Sequence, residues 1–148
     1  VCITGGEPLM QRKEVIPLMT RLCDLGFKVS IETGGSLDCS DVDARVKKII
    51  DVKTPDSGEG TSFHQANLKF VDGNTEFKFV ICSEADFIWA EAFAKEHGLF
   101  ERSNVLYSPA FKTVEEKWLA KKILSEKSSA RLQLQLHKYI WSPHSRGV

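Results

Sequence analysis

The sequence has few cysteines, and none of them is spaced to bind a metal. The four cysteines are Cys2, Cys23, Cys39 and Cys82. Zinc and iron–sulfur sites usually include cysteines only a few residues apart, and no two cysteines of this chain are two or three residues apart. The sequence therefore predicts no metal ligand in this chain. The cysteines are interpreted as free thiols of a cytoplasmic protein, because the cytoplasm keeps thiols reduced.

The sequence also lacks an excess of charge of either sign. Lys plus Arg and Asp plus Glu number 20 each, so the formal net charge is zero. A protein that coats nucleic acid is usually basic, so this balance argues against a nucleic-acid partner. Residues 112–148 hold eight basic and three acidic side chains. Most of these lie on a predicted helix, so they are interpreted as a solvated face rather than as a binding surface.

Long hydrophobic runs are absent as well. No apolar segment approaches the roughly 20 residues of a transmembrane helix, and no signal peptide is visible, so no membrane partner is expected. The 148 residues, 42% of them hydrophobic, predict a single domain over 1–148. The chain has no initiator Met and opens at Val1 inside a predicted strand. We therefore expect that an N-terminal part of the parent protein precedes it.

The apolar pattern predicts strands that alternate with helices. Strands are predicted at 1–3, 28–33, 48–53, 76–82, 105–107 and 131–137. Short helices are predicted at 40–48 and 61–70. Strands that alternate with helices favour parallel crossovers in one sheet, which indicates an α/β fold. Six parallel strands in one domain are expected to curl into an open or partial (β/α) barrel.

Three longer helices are predicted from apolar residues at helical spacing and from their end signals. The first carries Val15, Leu18, Met19, Leu22 and Leu25, has Pro17 in its first turn and ends at Gly26. The second is capped by Ser83, has Ile88, Trp89, Ala92 and Phe93 on one face and ends at Gly98. The third follows a capping box of Thr113 with Glu116 and carries Val114, Trp118, Leu119 and Ile123.

A glycine turn follows the first predicted strand and predicts a ligand pocket. Its residues are Thr4-Gly5-Gly6-Glu7-Pro8. Glycine lets a ligand approach the main chain, and Glu7 adds a carboxylate where an α/β fold binds its ligands. The combination suits a cationic or amino group. The same residues are also compatible with a strand-to-helix turn that needs glycine for its shape alone.

Polar side chains recur at the ends of the other predicted strands. In a parallel sheet the C-terminal strand ends share one rim, so these side chains are expected to converge on one site. They are Glu7, Glu32, Thr33, Lys53, Ser108 and His137. Structural alternatives exist for each type of residue. Lys53 could pair with Asp51, Lys78 could extend from an edge strand, and His137 could be a hydrogen-bonded structural histidine.

The motifs in these segments identify a family. Gly5-Gly6-Glu7-Pro8 after a strand resembles the Gly-Gly-Glu-Pro motif of radical S-adenosylmethionine (SAM) enzymes. Further segments narrow the resemblance to the 7-carboxy-7-deazaguanine synthase family, over the whole of 1–148. These segments are Ile31-Glu32-Thr33-Gly34-Gly35, Asp51-Val52-Lys53-Thr54-Pro55, Glu76-Phe77-Lys78-Phe79-Val80-Ile81, Tyr107-Ser108-Pro109, Leu134-Gln135-Leu136-His137-Lys138-Tyr139-Ile140-Trp141 and Arg146-Gly147-Val148.

The resemblance implies roles for individual residues in a partial (β/α) barrel that binds SAM over a [4Fe-4S] cluster. Gly5, Gly6 and Glu7 would hold the amino group of SAM. Its ribose, carboxylate or adenine would be contacted by Glu32, Asp51, Val52, Lys53, Ser108, Pro109, Ala110 and Phe111. Thr4 would lie against the substrate, and His137 and Val148 would help to close the substrate pocket.

The resemblance also implies the reaction and the partners. The substrate would be 6-carboxy-5,6,7,8-tetrahydropterin, which a radical derived from SAM would convert to 7-carboxy-7-deazaguanine with loss of ammonia, in queuosine and 7-deazapurine biosynthesis. A magnesium ion would organise the substrate carboxylate. The family's members are usually homodimers, and their electron donor would be a protein such as flavodoxin or ferredoxin.

The chain departs from the family in one respect. The family's three cluster cysteines and its magnesium-binding Thr precede the Gly-Gly-Glu-Pro strand, so the ligands of the [4Fe-4S] cluster and of Mg²⁺ are expected outside this chain. This chain by itself is expected to be inactive. Two alternatives remain open at this point: another radical SAM enzyme such as a glycyl-radical-enzyme activase, and a non-catalytic α/β module that binds SAM or a nucleoside.

Overall fold

A six-stranded sheet in which every pairing is parallel organises the computed structural model, which describes residues 1–60 and 62–141. The strands are β1 (Cys2–Ile3), β2 (Ser30–Thr33), β3 (Lys47–Val52), β4 (Thr75–Ile81), β5 (Asn104–Pro109) and β6 (Arg131–Leu132). They lie side by side in chain order, from β1 at one edge to β6 at the other. This arrangement confirms the predicted α/β class with a partial (β/α) fold.

Irregular chain connects β2 to β3 and 3₁₀ turns connect β3 to β4, whereas helices lie between the other consecutive strands and after the last one. The helices are α1 (Arg12–Asp24), α2 (Glu84–Glu96), α3 (Leu99–Arg102), α4 (Glu116–Ser125) and α5 (His137–Ile140), with short 3₁₀ turns at Pro8–Gln11, Pro55–Ser57 and Gln65–Phe70. The longest helices, α1 and α2, have 13 residues each. Across the described part of the chain, the structure contains no helix with the length and apolar character needed to span a membrane.

The two faces of the sheet differ in polarity because side chains alternate along each strand. In β4, Phe77, Phe79 and Ile81 are fully buried against the helices. Phe79 meets Trp89 and Phe93 of α2 edge-to-face, with ring centroids 6.3 and 5.9 Å apart. The residues between these apolar ones, such as Lys78, point to the opposite face. The core therefore lies between the sheet and its helices, and the other face is left for polar groups.

The ends of α2 were predicted correctly from local signals. The Ser83 hydroxyl accepts a hydrogen bond from the Asp86 backbone N–H at 3.1 Å, as an N-cap should. Gly98 follows the helix with a left-handed φ of +59°. The apolar residues that were predicted to share one face are not all buried, since Ile88 is 60% exposed and Ala92 is also exposed. The residues of α2 that the core buries are Asp86, Phe87, Ala90, Glu91 and Ala94.

Two predictions about helices were wrong for reasons visible in the structure. Pro17 lies in the second turn of α1, because the helix already begins at Arg12. No helix forms over 40–48. Asp38, just before this segment, accepts a hydrogen bond from the Ser40 N–H, and Asp43 within it accepts one from the Arg45 N–H, both at 2.9 Å. Such side-chain turns compete with helical hydrogen bonds.

Two predictions in the C-terminal part were also wrong. The Thr113–Glu116 capping box does not form, since the Thr113 N–H donates to the Ala110 carbonyl and α4 begins at Glu116 without a side-chain cap. The last strand ends at Leu132, although 131–137 was predicted. The Gln133 N–H still donates to the Tyr107 carbonyl at 2.9 Å. The next bond of a parallel ladder would need an N–H from Pro109, and proline has none.

Candidate functional site

The glycine turn after β1 is tied to the end of β2 by the Glu7 carboxylate. Glu7 Oε2 accepts hydrogen bonds from the Gly34 N–H at 2.7 Å and from the Thr33 hydroxyl at 2.8 Å. Glu7 Oε1 accepts one from the Leu9 N–H at 3.0 Å, at the start of the following 3₁₀ turn. A carboxylate has about four acceptor positions, so these three donors leave little of it for a ligand. The main role visible for Glu7 is to fix the turn.

Gly5 and Gly6 expose their backbone at the same place. Their φ angles are +96° and +56°, a region that other residues rarely adopt. A Cβ added at either position would meet nothing within 4 Å, so open space lies beside both. These glycines are therefore needed for the shape of the turn, and that shape leaves main-chain atoms accessible to a ligand.

A cavity of about 170 Å³ opens beside this turn, at the C-terminal end of the sheet. Residues from the ends of β1, β2 and β3 and from the middle of β4 line it. They are Thr4, Gly6, Glu32, Thr33, Gly34, Ile49, Asp51, Lys53 and Lys78. The structure thus brings together the residues of three separate sequence motifs, as the argument from a shared rim predicted for Glu32, Thr33 and Lys53.

Charges in this cavity are balanced and centred on Asp51. Lys53 Nζ lies 3.1 Å from Asp51 Oδ2, and Lys78 Nζ lies 3.0 Å from Asp51 Oδ1. The three side chains are only 20–33% exposed, so their interaction is less screened by water than that of a surface pair. With Glu32, the cavity holds two carboxylates and two ammonium groups. Such a lining suits a ligand that carries both charges, such as an amino acid.

A close backbone contact joins the loops after β2 and β3. Gly35 has a φ of +74°, and a Cβ at this position would lie 2.6 Å from the Asp51 carbonyl oxygen. The Asn67 side chain also holds the loop after β2, since its N–H groups donate to the carbonyls of Gly35 and Leu37 at 3.2 and 3.0 Å. The strand end that carries Asp51 is therefore packed directly against the loop that follows Glu32.

Residues 108–111, at the end of β5 and just after it, do not line this cavity. Ser108 is 1% exposed, and its hydroxyl makes no hydrogen bond within the described residues. Pro109 is buried, and Ala110 and Phe111 are half-buried. The Phe111 ring lies against Lys138 Nζ at 4.9 Å. Val52 is 1% exposed in the helix-covered core and does not line the cavity.

The predicted substrate residues are not all brought to one place. Thr4 lines the cavity. His137 was predicted at the end of a strand, but it is an exposed residue at the start of the short helix α5. Val148 lies outside the described residues, so its predicted role stays a prediction.

Sequence reasoning treated Lys78 only as a lysine on an edge strand. It lies instead on the central strand β4 and contributes directly to the cavity. The signal for this position is the alternation of Glu76 and Lys78 with Phe77 and Phe79. Charged residues that alternate with fully buried phenylalanines must share the face opposite the core. Gly34 and Ile49 are further lining residues that the rim argument did not include.

The described residues do not fit a metal centre. Within 1–60 and 62–141, no group of three His, Cys, Asp or Glu side chains could hold a metal ion. Burial raises the pKa of the Cys39 thiol to about 12, and the nearby Glu7 carboxylate adds to the shift. Burial, followed by the charge of Asp86, also raises the pKa of Cys82. Metals bind the thiolate, so both thiols are held in the form that binds metal poorly.

A larger cavity, about 480 Å³, opens at the opposite end of the strands. It is lined by Cys23, Gly26, Phe27, Lys28, Val29, Ser30, Arg45, Lys47 and Asn74. It contains none of the motif residues, and ligands of α/β folds bind at the C-terminal strand ends. We therefore regard the smaller cavity as the candidate site.

The curated relatives of this chain share one family name. No protein-family model matches the chain. A 7-carboxy-7-deazaguanine synthase from Koribacter versatilis is 43% identical over 99% of this chain, which covers 70% of that relative. The synthase of the same name from Chlorobaculum tepidum is 42% identical over 99% of this chain, which covers 67% of it.

A solved structure shares the fold. It is a domain of pyruvate-formate lyase-activating enzyme from Bacteroides vulgatus, with a TM-score of 0.63 over 90% of this chain and 97% of that domain. The two sequences are 18% identical, so the likeness concerns the fold alone.

Proposed function

Because the chain belongs to the 7-carboxy-7-deazaguanine synthase family of radical SAM enzymes, we propose that it forms the SAM-binding and substrate-binding wall of an enzyme that converts 6-carboxy-5,6,7,8-tetrahydropterin to 7-carboxy-7-deazaguanine with loss of ammonia. The observation that carries this proposal is the convergence of Gly6, Glu32, Asp51 and Lys53 on one cavity. These residues come from three of the motifs that define the resemblance. Their meeting at one rim supports a shared ligand.

The charge pattern of the cavity supports binding of the methionyl part of SAM. That part carries an ammonium group and a carboxylate, which match the two carboxylates and two ammonium groups of the lining. The ammonium group can be held by main-chain carbonyls beside Gly5 and Gly6, which have open space next to them. Lys53 and Lys78 are placed to bind the ligand's carboxylate. The volume, about 170 Å³, is below the roughly 300 Å³ of a complete cofactor pocket, so it suits only this part of SAM.

The remaining predicted contacts are proposals that rest on the family resemblance. The turn Ser108-Pro109-Ala110-Phe111 would contact the nucleoside part of SAM. The unpartnered Ser108 hydroxyl supports such a contact, because a buried hydroxyl without a hydrogen bond costs stability. Thr4, at the mouth of the cavity, would meet the substrate. His137 and Val148 would close the pocket after a rearrangement around α5.

Family membership implies a [4Fe-4S] cluster, which together with SAM supplies the radical chemistry. The described residues of this chain do not fit that cluster or a Mg²⁺ ion. Their part in catalysis is to bind SAM, to orient it by charge and to exclude water. A homodimer, a flavodoxin or ferredoxin as electron donor, Mg²⁺ as a second metal and a cytoplasmic location are further proposals from the resemblance.

The decisive experiment is product analysis under anaerobic conditions. The protein that carries this chain is treated with iron and sulfide, then incubated with SAM, a reductant and 6-carboxy-5,6,7,8-tetrahydropterin. We expect 7-carboxy-7-deazaguanine and ammonia, detected by mass spectrometry, with SAM regenerated. A glycyl radical formed on an added protein partner would instead indicate an activase. SAM binding without any product or SAM cleavage would indicate a binding module, and either result would overturn the proposal.

A further inference from the structure

Asp86 is a fully buried carboxylate beneath the turn that follows β3. It is the third residue of α2 and is 0% exposed. It lies in the first turn of α2, beside residues that follow the C-terminal ends of β3 and β4. Ionisable residues are rarely buried completely unless they are paired. Its contacts therefore indicate what it does.

The Asp86 carboxylate accepts three hydrogen bonds from the described residues. Oδ2 accepts from the Thr54 hydroxyl at 2.9 Å and from the Cys82 N–H at 3.0 Å. Oδ1 accepts from the Asp56 N–H at 3.0 Å. A carboxylate can accept all three bonds, whereas an asparagine would present an N–H₂ group to at least one of these donors. The site is therefore specific for Asp.

A second tether reinforces the first. The Ser83 hydroxyl lies 2.5 Å from Asp56 Oδ2 and so joins the N-cap of α2 to the same turn. The Thr54 hydroxyl is also 3.0 Å from the Val80 carbonyl oxygen of β4. The first turn of α2 thus holds the segment after β3 through its backbone and through two side chains.

The held segment begins immediately after a residue of the candidate site. Lys53 directly precedes Thr54, and Lys53 Nζ reaches back into the cavity to Asp51. Because the neighbouring residue, Thr54, is held by the first turn of α2, the Lys53 backbone has little freedom to move. We propose that Asp86 is a positioning residue that fixes Lys53 at the rim of the cavity. Its effect on ligand binding rests on the proposed function.

The test compares Asp86→Asn with a matched control on the same helix. Glu91 is also a buried carboxylate of α2, and it accepts hydrogen bonds from the hydroxyls of Tyr107 and Ser128. It is far along the helix from the turn, so Glu91→Gln should lower the melting temperature without changing the site. A second pair, Thr54→Val and Thr54→Ser, removes and then restores the hydroxyl at the turn itself. This pair answers the question if Asp86→Asn fails to fold.

Two readouts are measured on all four variants. The first is SAM affinity by calorimetry, which we expect Asp86→Asn to weaken about tenfold, equal to about 1.4 kcal/mol. The second is the acetylation rate of Lys53 by an amine-reactive ester, measured by mass spectrometry relative to Lys47. We expect that rate to rise at least roughly threefold when the turn is released. Glu91→Gln and Thr54→Ser should leave both quantities close to wild type.

The two readouts separate this inference from the proposed function. If the wild-type protein binds no SAM, the proposed function fails, and the Lys53 rate alone decides the positioning role. The inference is overturned if Asp86→Asn and Glu91→Gln change the Lys53 rate equally for the same loss of melting temperature. It is also overturned if Thr54→Val leaves the rate at the wild-type value.

Discussion

The two faces of the parallel sheet are formed by the same strands but have different roles. On the helix-covered face, Phe77, Phe79 and Tyr107 are fully buried, and the rings of Phe79 and Tyr107 contact aromatic residues of α2. On the opposite face, Asp51 pairs with Lys78 one strand away. Apolar burial is the main favourable term in folding, whereas charge pairs that remain partly exposed add little. The comparison indicates that one face stabilises the fold and the other is free to bind a ligand.

The largest expected effect on stability comes from a substitution on the helix-covered face. Phe79→Ala removes a ring that packs against Trp89, Phe93 and Tyr107. We expect the free energy of unfolding, measured by urea denaturation, to fall by about 3–5 kcal/mol, because the core cannot fully fill the space that the ring leaves. A loss below about 1 kcal/mol would mean that this face does not carry the stability.

The second largest effect on stability is expected from Gly35→Ala, because Gly35 lies where the loop after β2 meets the end of β3. The added Cβ would lie 2.6 Å from the Asp51 carbonyl at a φ of +74°. We expect a loss of about 2–3 kcal/mol in the free energy of unfolding, because strain and a backbone clash act together. Gly73→Ala is the control, since nothing lies within 4 Å of a Cβ there. Equal effects of the two substitutions would contradict the close-contact interpretation.

Tyr107→Phe should have a moderate effect that depends on pH. It removes a hydrogen bond of 3.1 Å to Glu91, so a loss of about 1 kcal/mol is expected near pH 7. Burial, with the Glu91 charge as a second cause, raises the pKa of Tyr107 far above its usual range. Above about pH 10 the unfolded chain loses this proton while the folded chain keeps it, so wild-type stability should fall as pH rises.

The difference between wild type and Tyr107→Phe isolates that alkaline effect. Other groups that titrate in this range are present in both proteins and cancel. We expect the free energies of unfolding of the two proteins to converge as the pH rises from 9 to roughly 11. A difference that stays constant over this range would show that Tyr107 ionises equally in both states.

The smallest effect on stability is expected on the polar face, where Lys78→Met changes binding instead. Asp51 keeps its contact with Lys53, so the free energy of unfolding should change by no more than about 1 kcal/mol. SAM affinity should fall about tenfold, because the cavity loses one of its two ammonium groups.

Lys47→Met provides the matched control for that variant. Lys47 pairs with Glu76 at 2.9 Å and belongs to the cavity at the opposite end of the strands. We expect it to leave SAM affinity unchanged. If both lysine variants weaken binding equally, the candidate site is not localised at the C-terminal strand ends.

Much of this architecture could be predicted because local patterns and tertiary packing agree. The alternation in β4, the Ser83 cap and Gly98 each predicted what the structure shows. Predictions failed where a side-chain hydrogen bond or a proline interrupts the predicted helix or strand. Asp38 and Asp43 form side-chain turns where a helix over 40–48 was predicted. Pro109 ends the hydrogen-bond ladder between β5 and β6.

The site was predictable only as a set of residues at one rim. The strand ends predicted Glu32 and Lys53 there, the family resemblance added Asp51, and the structure brings the three together. The sequence did not reveal that Glu7 is occupied by donors from Leu9, Thr33 and Gly34. That arrangement depends on contacts between segments about 27 residues apart, and no local pattern records them.

The alternation of side chains and the positions of glycines were sufficient to predict the parallel α/β class, the order of strands along the chain and the position of the glycine turn. These properties are local, since they depend on residue types a few positions apart. Folding alone determined that Lys78 joins the site, that the Val52 side chain lies in the core and that Asp86 holds the turn after Lys53. These outcomes depend on which strands and helices become neighbours, and only packing of the whole sheet specifies that.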